Sequence, residues 1–238
     1  MSDKIKEEVL RRGITRLCHF TPSRNLGQIL SGNLGVLATR KLKEDERHIF
    51  APTDLERLDR HTGHISCSIE YPNAWYFDRA RSRELLFRDW AIVFIAPKYL
   101  WKGGTLFCPR NAAASFGREV GSGGAAFLRL FASEVVGAYG RKYSRSPLTP
   151  GYCVTDEQAE VLIPEEIALD DILGFAVTSL GQAKNEAVRL KLLGIPDGRI
   201  QKLKVIVAPE LFDKYRLSDL LKQGKRPQET LFDFSTLK

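Results

Sequence analysis

The sequence predicts an α+β fold in a single domain spanning 1–238, and three observations predict it. Short runs with strand character recur along the chain, and helical patterns fall between them without the regular alternation of a doubly wound sheet. The balance of 43% hydrophobic and 27% charged residues is that of an ordinary chain able to bury a full core. No internal repeat or low-complexity segment interrupts the pattern.

From the N-terminus, residues 3–12 read as a charged surface helix stopped by Gly13. Residues 14–20 (ITRLCHF) mix apolar and polar positions as a strand does, and Pro22 with Ser23 then opens a helix, NLGQILSG, closed by Gly32. His19 therefore falls at a strand end just before a helix. Residues 41–63 are charged and aperiodic, and a loop of that length inside a compact domain is often functional. ISCSIEY (65–71) is a strand stopped by Pro72 and Asn73, followed by an aromatic turn and helix, NAWYFDRARS. WAIVFIAP (90–97) is a continuous apolar run of central-strand type, and TLFC (105–108) is a further short strand. GREVGSGG (117–124) is too rich in glycine to form an ordered element by itself, and AAFLRLFASEVV behind it reads as a helix. RKYSRSPLTPGY (141–152) is basic, proline-containing and exposed. QAEVLIPEEI and DILGFAVTS each carry a strand, GQAKNEAVRLKLLG is an amphipathic helix, KLKVIVAP a last strand and PELFDKYRLSDLLKQG a terminal helix. The final KRPQETLFDFSTLK is a tail or a docking strand.

A net charge of +7 favours a polyanionic partner, because phosphate backbones reward clustered Lys and Arg through counterion release, although many basic proteins bind no nucleic acid. The four cysteines, Cys18, Cys67, Cys108 and Cys153, show no short C-x-x-C spacing. That argues for buried thiols in a reducing compartment rather than a disulfide framework or a zinc site. The charged N-terminus has no apolar segment behind it, and no run approaches the ~18 apolar residues of a membrane span. A cytoplasmic protein without a membrane partner is expected.

Four places could carry chemistry. His19 with Thr21 could present a ring and backbone amides to a polar ligand, or His19 could be a structural hydrogen-bonder. In DLERLDRHTGH (54–64), Arg57 or Arg60 could clamp a diphosphate in bidentate fashion, or the run could be a solvated surface. His61 and His64 have an H-x-x-H spacing, but no further ligand completes a metal site, so no metal is expected. SCSIEYPNAWY offers strand serines and the flat faces of Tyr71, Trp75 and Tyr76, which suit a pocket floor or a core. In TDEQAEVLIP, Gln158 and Glu160 are two apart, so on an extended segment they point the same way. Glu160 could hold a carboxylate beside a site or act as a strand-edge charge.

Together and in this order, these features resemble the DarT family of bacterial nucleic-acid ADP-ribosyltransferases, toxins that attach ADP-ribose from NAD to a base. The resemblance runs from CHFTPSRNLGQIL to KVIVAP and rests on the H-x-T strand end with its N-L-x-x-I-L helix, the D-x-x-R-x-D loop, C-S-I-x-Y-P-N, and the Q-x-E pair. It implies a split, two-sheet α+β ADP-ribosyltransferase core with peripheral helices, cradling NAD as co-substrate in the cleft. It implies that His19 and Thr21 anchor the cofactor, with Phe20 their backbone neighbour and Gln28 a further contact. Arg57 is implied as the loop arginine bridging cofactor and reaction, Glu160 as the catalytic glutamate, and Gln158 as the residue presenting the target.

The residue types suit the chemistry. Breaking the nicotinamide–ribose bond builds positive charge on the sugar, as in glycoside hydrolysis, and a carboxylate stabilises it. Stacked duplex bases hide their nitrogens, so a single strand is the expected target. Basic residues near Tyr99, Trp101 and Tyr143, with Arg141, Lys142 and Arg145 foremost, have the mixture of charge and flat rings that tracks such a strand. The leading expectation is a base-directed transferase acting on single-stranded DNA. RNA bases, a protein target, and a non-catalytic nucleic-acid-binding relative are the alternatives. The resemblance also implies a toxin–antitoxin or phage-defence setting, with an antitoxin protein or a macrodomain hydrolase as partner.

Overall fold

The computed structural model describes residues 2–31, 35–42, 60–84, 86–137 and 140–233. In chain order, α1 (Ser2–Arg12) precedes β1 (Leu17–Pro22), α2 (Leu26–Ser31), β2 (Val36–Leu37) and β3 (His64–Ile69). α3 (Ala74–Arg83), β4 (Trp90–Ile95), β5 (Leu106–Cys108), β6 (Gly121–Ser122) and α4 (Gly123–Arg129) follow. A hairpin of β7 (Glu134–Val136) and β8 (Lys142–Ser144) leads to β9 (Glu160–Pro164), β10 (Glu166–Ile167) and β11 (Ile172–Val177). The chain then runs through α5 (Leu180–Leu192), α6 (Asp197–Ile200), β12 (Lys204–Val207), α7 (Lys214–Lys222) and β13 (Thr230–Leu231).

Nine strands form one sheet in the order β13-β12-β11-β4-β1-β3-β9-β5-β6. Among the described residues, only β11 and β12 pair in parallel, joined through α5 and α6, as a parallel pair requires a crossover. β4 lies near the middle, and all six of its residues are buried. Successive strand residues point to opposite faces. Ala91, Val93 and Ile95 therefore join the core under α1, α2, α4 and α5, while Trp90, Ile92 and Phe94 join the one under α3 and α7. Phe77, Phe107, Phe127 and Phe175 are among the largest fully buried side chains, and burying each contributes about 1.5–3 kcal/mol. The α+β class read from the sequence is the fold observed.

Several boundaries differ from the sequence reading, each because a specific hydrogen-bonding partner intervenes. The helix expected over AAFLRLFASEVV ends at Arg129, and Glu134–Val136 is instead β7, paired with β8 through Val135↔Tyr143. Two adjacent β-branched valines suit a pleated strand, and the hairpin partner supplies their backbone hydrogen bonds. The same pairing makes a strand of Lys142–Ser144 within the segment read only as exposed loop. The glycine-rich stretch is ordered because β6 pairs with β5, and Gly123 turns into α4 at φ +77°. The terminal helix is broken in two, since Asp213 sits extended and its carboxylate caps α7 by accepting from Tyr215 N and Arg216 N. Of the two readings of the C-terminal stretch, the docking strand holds: Leu231 and Thr230 pair with Ile206 and Val207.

All four cysteines are free and buried, as expected. Among the described residues, no helix is long and apolar enough to cross a membrane.

Candidate active site

The sheet is nearly severed between β1 and β3. β1 pairs with β4 along its whole length, from Leu17↔Ile95 to Pro22↔Trp90, but with β3 only at Leu17↔Ile69 and Cys18↔Ser68. Beyond that point β3 stays with β9, through Cys67↔Val161 to His64↔Pro164, so the two halves of the sheet part at His19. The imidazole stands where the ladder stops: its Nδ1 lies 2.9 Å from the Ser66 carbonyl. A carbonyl oxygen only accepts, so Nδ1 carries the hydrogen, and a neutral ring then has Nε2 as its acceptor. His19 is thus a structural hydrogen-bonder that also sits at the opening, and the two readings of this residue are compatible.

The wall on the β1 side is built around Thr21, which is 3% exposed. Its hydroxyl accepts from Asn25 Nδ2 at 2.8 Å. Asn25 Oδ1 and Gln28 Oε1, three residues apart and so on one helical face, are buried acceptors without a partner among the described residues. Leaving such acceptors unmet costs about 1–3 kcal/mol each. A ligand bearing amide or amino N–H groups would meet them, and NAD carries both a carboxamide and an exocyclic amine. Phe20, between the anchors, turns into an aromatic cluster with Tyr76, Phe77 and Trp90 at centroid distances of 6.0, 5.6 and 6.2 Å. Of the aromatic residues flagged after β3, Tyr71 is buried, and Trp75 donates its indole N–H to Glu157 at 3.1 Å.

Glu160 opens β9 and is 8% exposed. It pairs with Cys108, and one register step beyond Cys67↔Val161 sets it beside Ser68, in the last row that still links β1 to β3. By register, Glu160 therefore occupies the row next to the one from which the opening starts. It accepts from Asn111 Nδ2 at 2.9 Å. The thiols of Cys67 and Cys108 lie within its electrostatic reach; burial pushes the first well above its ordinary value and the second up to about 12, so both stay neutral. Asn111 and Asn25 are the site residues the sequence reading missed. For Asn111 the signal was there, as an asparagine directly before Ala-Ala-Ala-Ser has the form of an N-cap.

Gln158 is not on an extended segment. Strand β9 begins two residues later, and Gln158 lies in a turn whose backbone N–H is taken by Asp156 Oδ1 at 2.9 Å. The period-two argument for a shared direction with Glu160 therefore does not apply. Burial raises the Asp156 carboxyl above its ordinary value, against the Gln158 N–H, which lowers it. Arg141 and Lys142 are exposed on the β7–β8 hairpin, Arg141 stacked on Tyr143 and Lys142 3.0 Å from Glu134. Arg145 faces inward: its guanidinium donates to the carbonyls of Cys153 and Pro150 at 2.6 and 2.5 Å, holding the loop that follows β8. That loop, the end of β3 and α7 enclose a cavity of about 360 Å³ lined by Tyr71, Ser144, Thr149, Glu157 and Leu221 among others. Arg57 lies outside the described residues. Arg60 has φ +63°. Among the described residues, no three His, Cys, Asp or Glu are grouped to hold a metal.

The family model described as "ssDNA thymidine ADP-ribosyltransferase, DarT" matches residues 18–213. No curated protein sequence matches. The fold is similar to that of Thermus sp. 2.9 DarT in complex with NAD+, at TM-score 0.55 and 14% identity over 84% of this chain and 98% of that one. It is also similar to the same protein in complex with ADP-ribosylated ssDNA, at TM-score 0.55 and 13% identity over 84% and 97%. Thermosipho africanus DarTG in complex with ADP-ribose aligns at TM-score 0.52 and 15% identity over 83% of this chain, which spans about half, 51%, of that one. With a family match across most of its length and a sheet that parts at His19, the chain belongs to the DarT family of NAD-dependent, single-stranded-DNA ADP-ribosyltransferases.

Proposed function

We propose that this protein transfers ADP-ribose from NAD to thymine in single-stranded DNA, releasing nicotinamide, as a toxin held in check by an antitoxin or a macrodomain hydrolase. The observation that carries the reading is the parting of β1 from β3 with His19 at the opening and the buried residue Glu160 one register row away. The family description supplies thymidine as the target.

In this reading His19, Thr21 and Gln28 hold the cofactor, with Phe20 contributing its backbone and Arg57 engaging the diphosphate. Glu160 stabilises the positive charge that grows on the ribose as the bond to nicotinamide breaks. The thymine ring nitrogen is a weak nucleophile that must shed a proton as it attacks, and Glu160 is placed by the same reading to take it. Arg141 and Lys142 contact strand phosphates, and Gln158 meets the target base. Arg145 supports this surface through the loop it holds.

Incubation with NAD and thymidine-containing single-stranded oligonucleotides, followed by mass spectrometry, tests the proposal. The expected result is a mass gain of one ADP-ribose on thymidine-containing strands and none on strands without thymidine. Gain confined to RNA or to protein would refute it in favour of those targets.

A further inference from the structure

We propose that Asn111 is a positioning residue that fixes the Glu160 carboxylate, an inference that rests on the reading of Glu160 given above. Its side chain is tied at both ends. Nδ2 donates to Glu160 Oε1 at 2.9 Å, and Oδ1 accepts from Ala114 N at 3.1 Å, capping the short turn Ala112–Ser115. The backbone leading to it is equally held, since Cys108, three residues before, is the strand partner of Glu160 itself. A donor that is part of a capped turn has one orientation to offer. Glu160, at the first residue of its strand, has a long side chain with three rotatable bonds, and the fixed N–H selects one direction for it. Without that donor the carboxylate would have to be ordered at the moment of reaction, and a misplacement of about 1 Å can cost on the order of 10²-fold in rate.

Two variants separate positioning from mere architecture, because both keep an N-cap. Asn111→Ser retains a capping oxygen and removes the donor. Asn111→Asp retains size and cap, and sets a second carboxylate against Glu160. Among the described residues, the ionisable groups that feel Glu160 include the neutral thiols of Cys67 on β3 and Cys108 on β5, with Arg110 and Glu119 acting on Cys108 in turn. Expected for Asn111→Ser is a kcat for nicotinamide release about 10- to 100-fold lower, with KM for NAD little changed. Asn111→Asp is expected to lose at least as much, and to move the acidic limb of its pH profile upward, since two adjacent carboxylates hold a proton to higher pH.

A 13C titration of the Glu160 carboxyl needs no turnover, and should show its midpoint higher in Asn111→Asp than in the parent by roughly one pH unit or more. Parental kcat, pH profile and Glu160 titration in both variants would overturn the inference. Glu160→Gln in the same assays tells the two failures apart: parental activity there removes the role of Glu160 itself, whereas an inactive Glu160→Gln beside unaffected Asn111 variants removes only the role of Asn111.

Discussion

Replacing Glu160 by glutamine isolates the electrostatic part of the proposed mechanism. The substitution is isosteric, and the amide oxygen can still accept from Asn111 Nδ2, so the 2.9 Å contact and the start of β9 survive. What disappears is one negative charge in a site only 8% exposed. For a partly shielded pair at about 4 Å, an effective dielectric near 20 gives about 4 kcal/mol of attraction. That energy acts on the charge developing at the ribose, so its loss appears in kcat and amounts to about 10³-fold. The assay is nicotinamide release followed chromatographically, with NAD affinity measured separately by calorimetry. Expected are an unchanged melting temperature, NAD binding within a few-fold of the parent, and kcat lower by about three orders of magnitude. A loss of less than tenfold with binding intact would refute the electrostatic argument.

Three further outcomes test other links. Arg141→Ala with Lys142→Ala should weaken binding to single-stranded DNA and flatten the slope of log K against log salt by about 1.4, the share of two phosphates, whereas Arg145→Ala should lower the melting temperature because three backbone carbonyls lose their donor; an unchanged slope in the double variant removes the hairpin from the strand path. Burial holds the Asp156 carboxyl above its ordinary value, so between its unfolded and folded values the native state binds the extra proton and stability is lost as pH rises; Asp156→Asn, which keeps the acceptor for Gln158 N–H, should therefore raise the melting temperature more at pH 7.5 than at pH 4, and equal gains at both would contradict this. Gly174 has φ +152°, and a Cβ there would lie 2.1 Å from the Lys204 carbonyl across the β11–β12 pair; Gly174→Ala should cost about 3 kcal/mol or more, or about 6–12 °C by calorimetry, and a variant melting with the parent would show that the pair can shift to admit a methyl.

Local patterns carried much of the fold. The apolar run of β4 reads as a strand buried on both faces because each face meets its own core, and that is where it lies. The helix opened after Pro22 and the burial of all four cysteines were legible for the same reason: spacing and composition act within a few residues. Where the reading failed, a hydrogen-bonding partner a few residues along the chain overrode the local pattern. The valines of β7 look helical until Lys142–Ser144 is known to lie beside them, and Gln158 looks extended until Asp156 takes its backbone N–H. Arg145 looks like a free cation in a basic run, and only the folded loop turns it onto carbonyls.

By itself, then, the sequence determined the α+β class and most of the strands and helices, and it named His19 and Glu160 as candidates for the site. The tertiary structure decided that β1 and β3 part after two residue pairs, that His19 meets Ser66 47 residues away, and that Asn111 reaches Glu160 across 49. Periodicity and capping are interactions between near neighbours and leave their mark on composition. A hydrogen bond between residues nearly fifty positions apart leaves none, because it depends on how the strands stack in space rather than on what stands next to them in the chain.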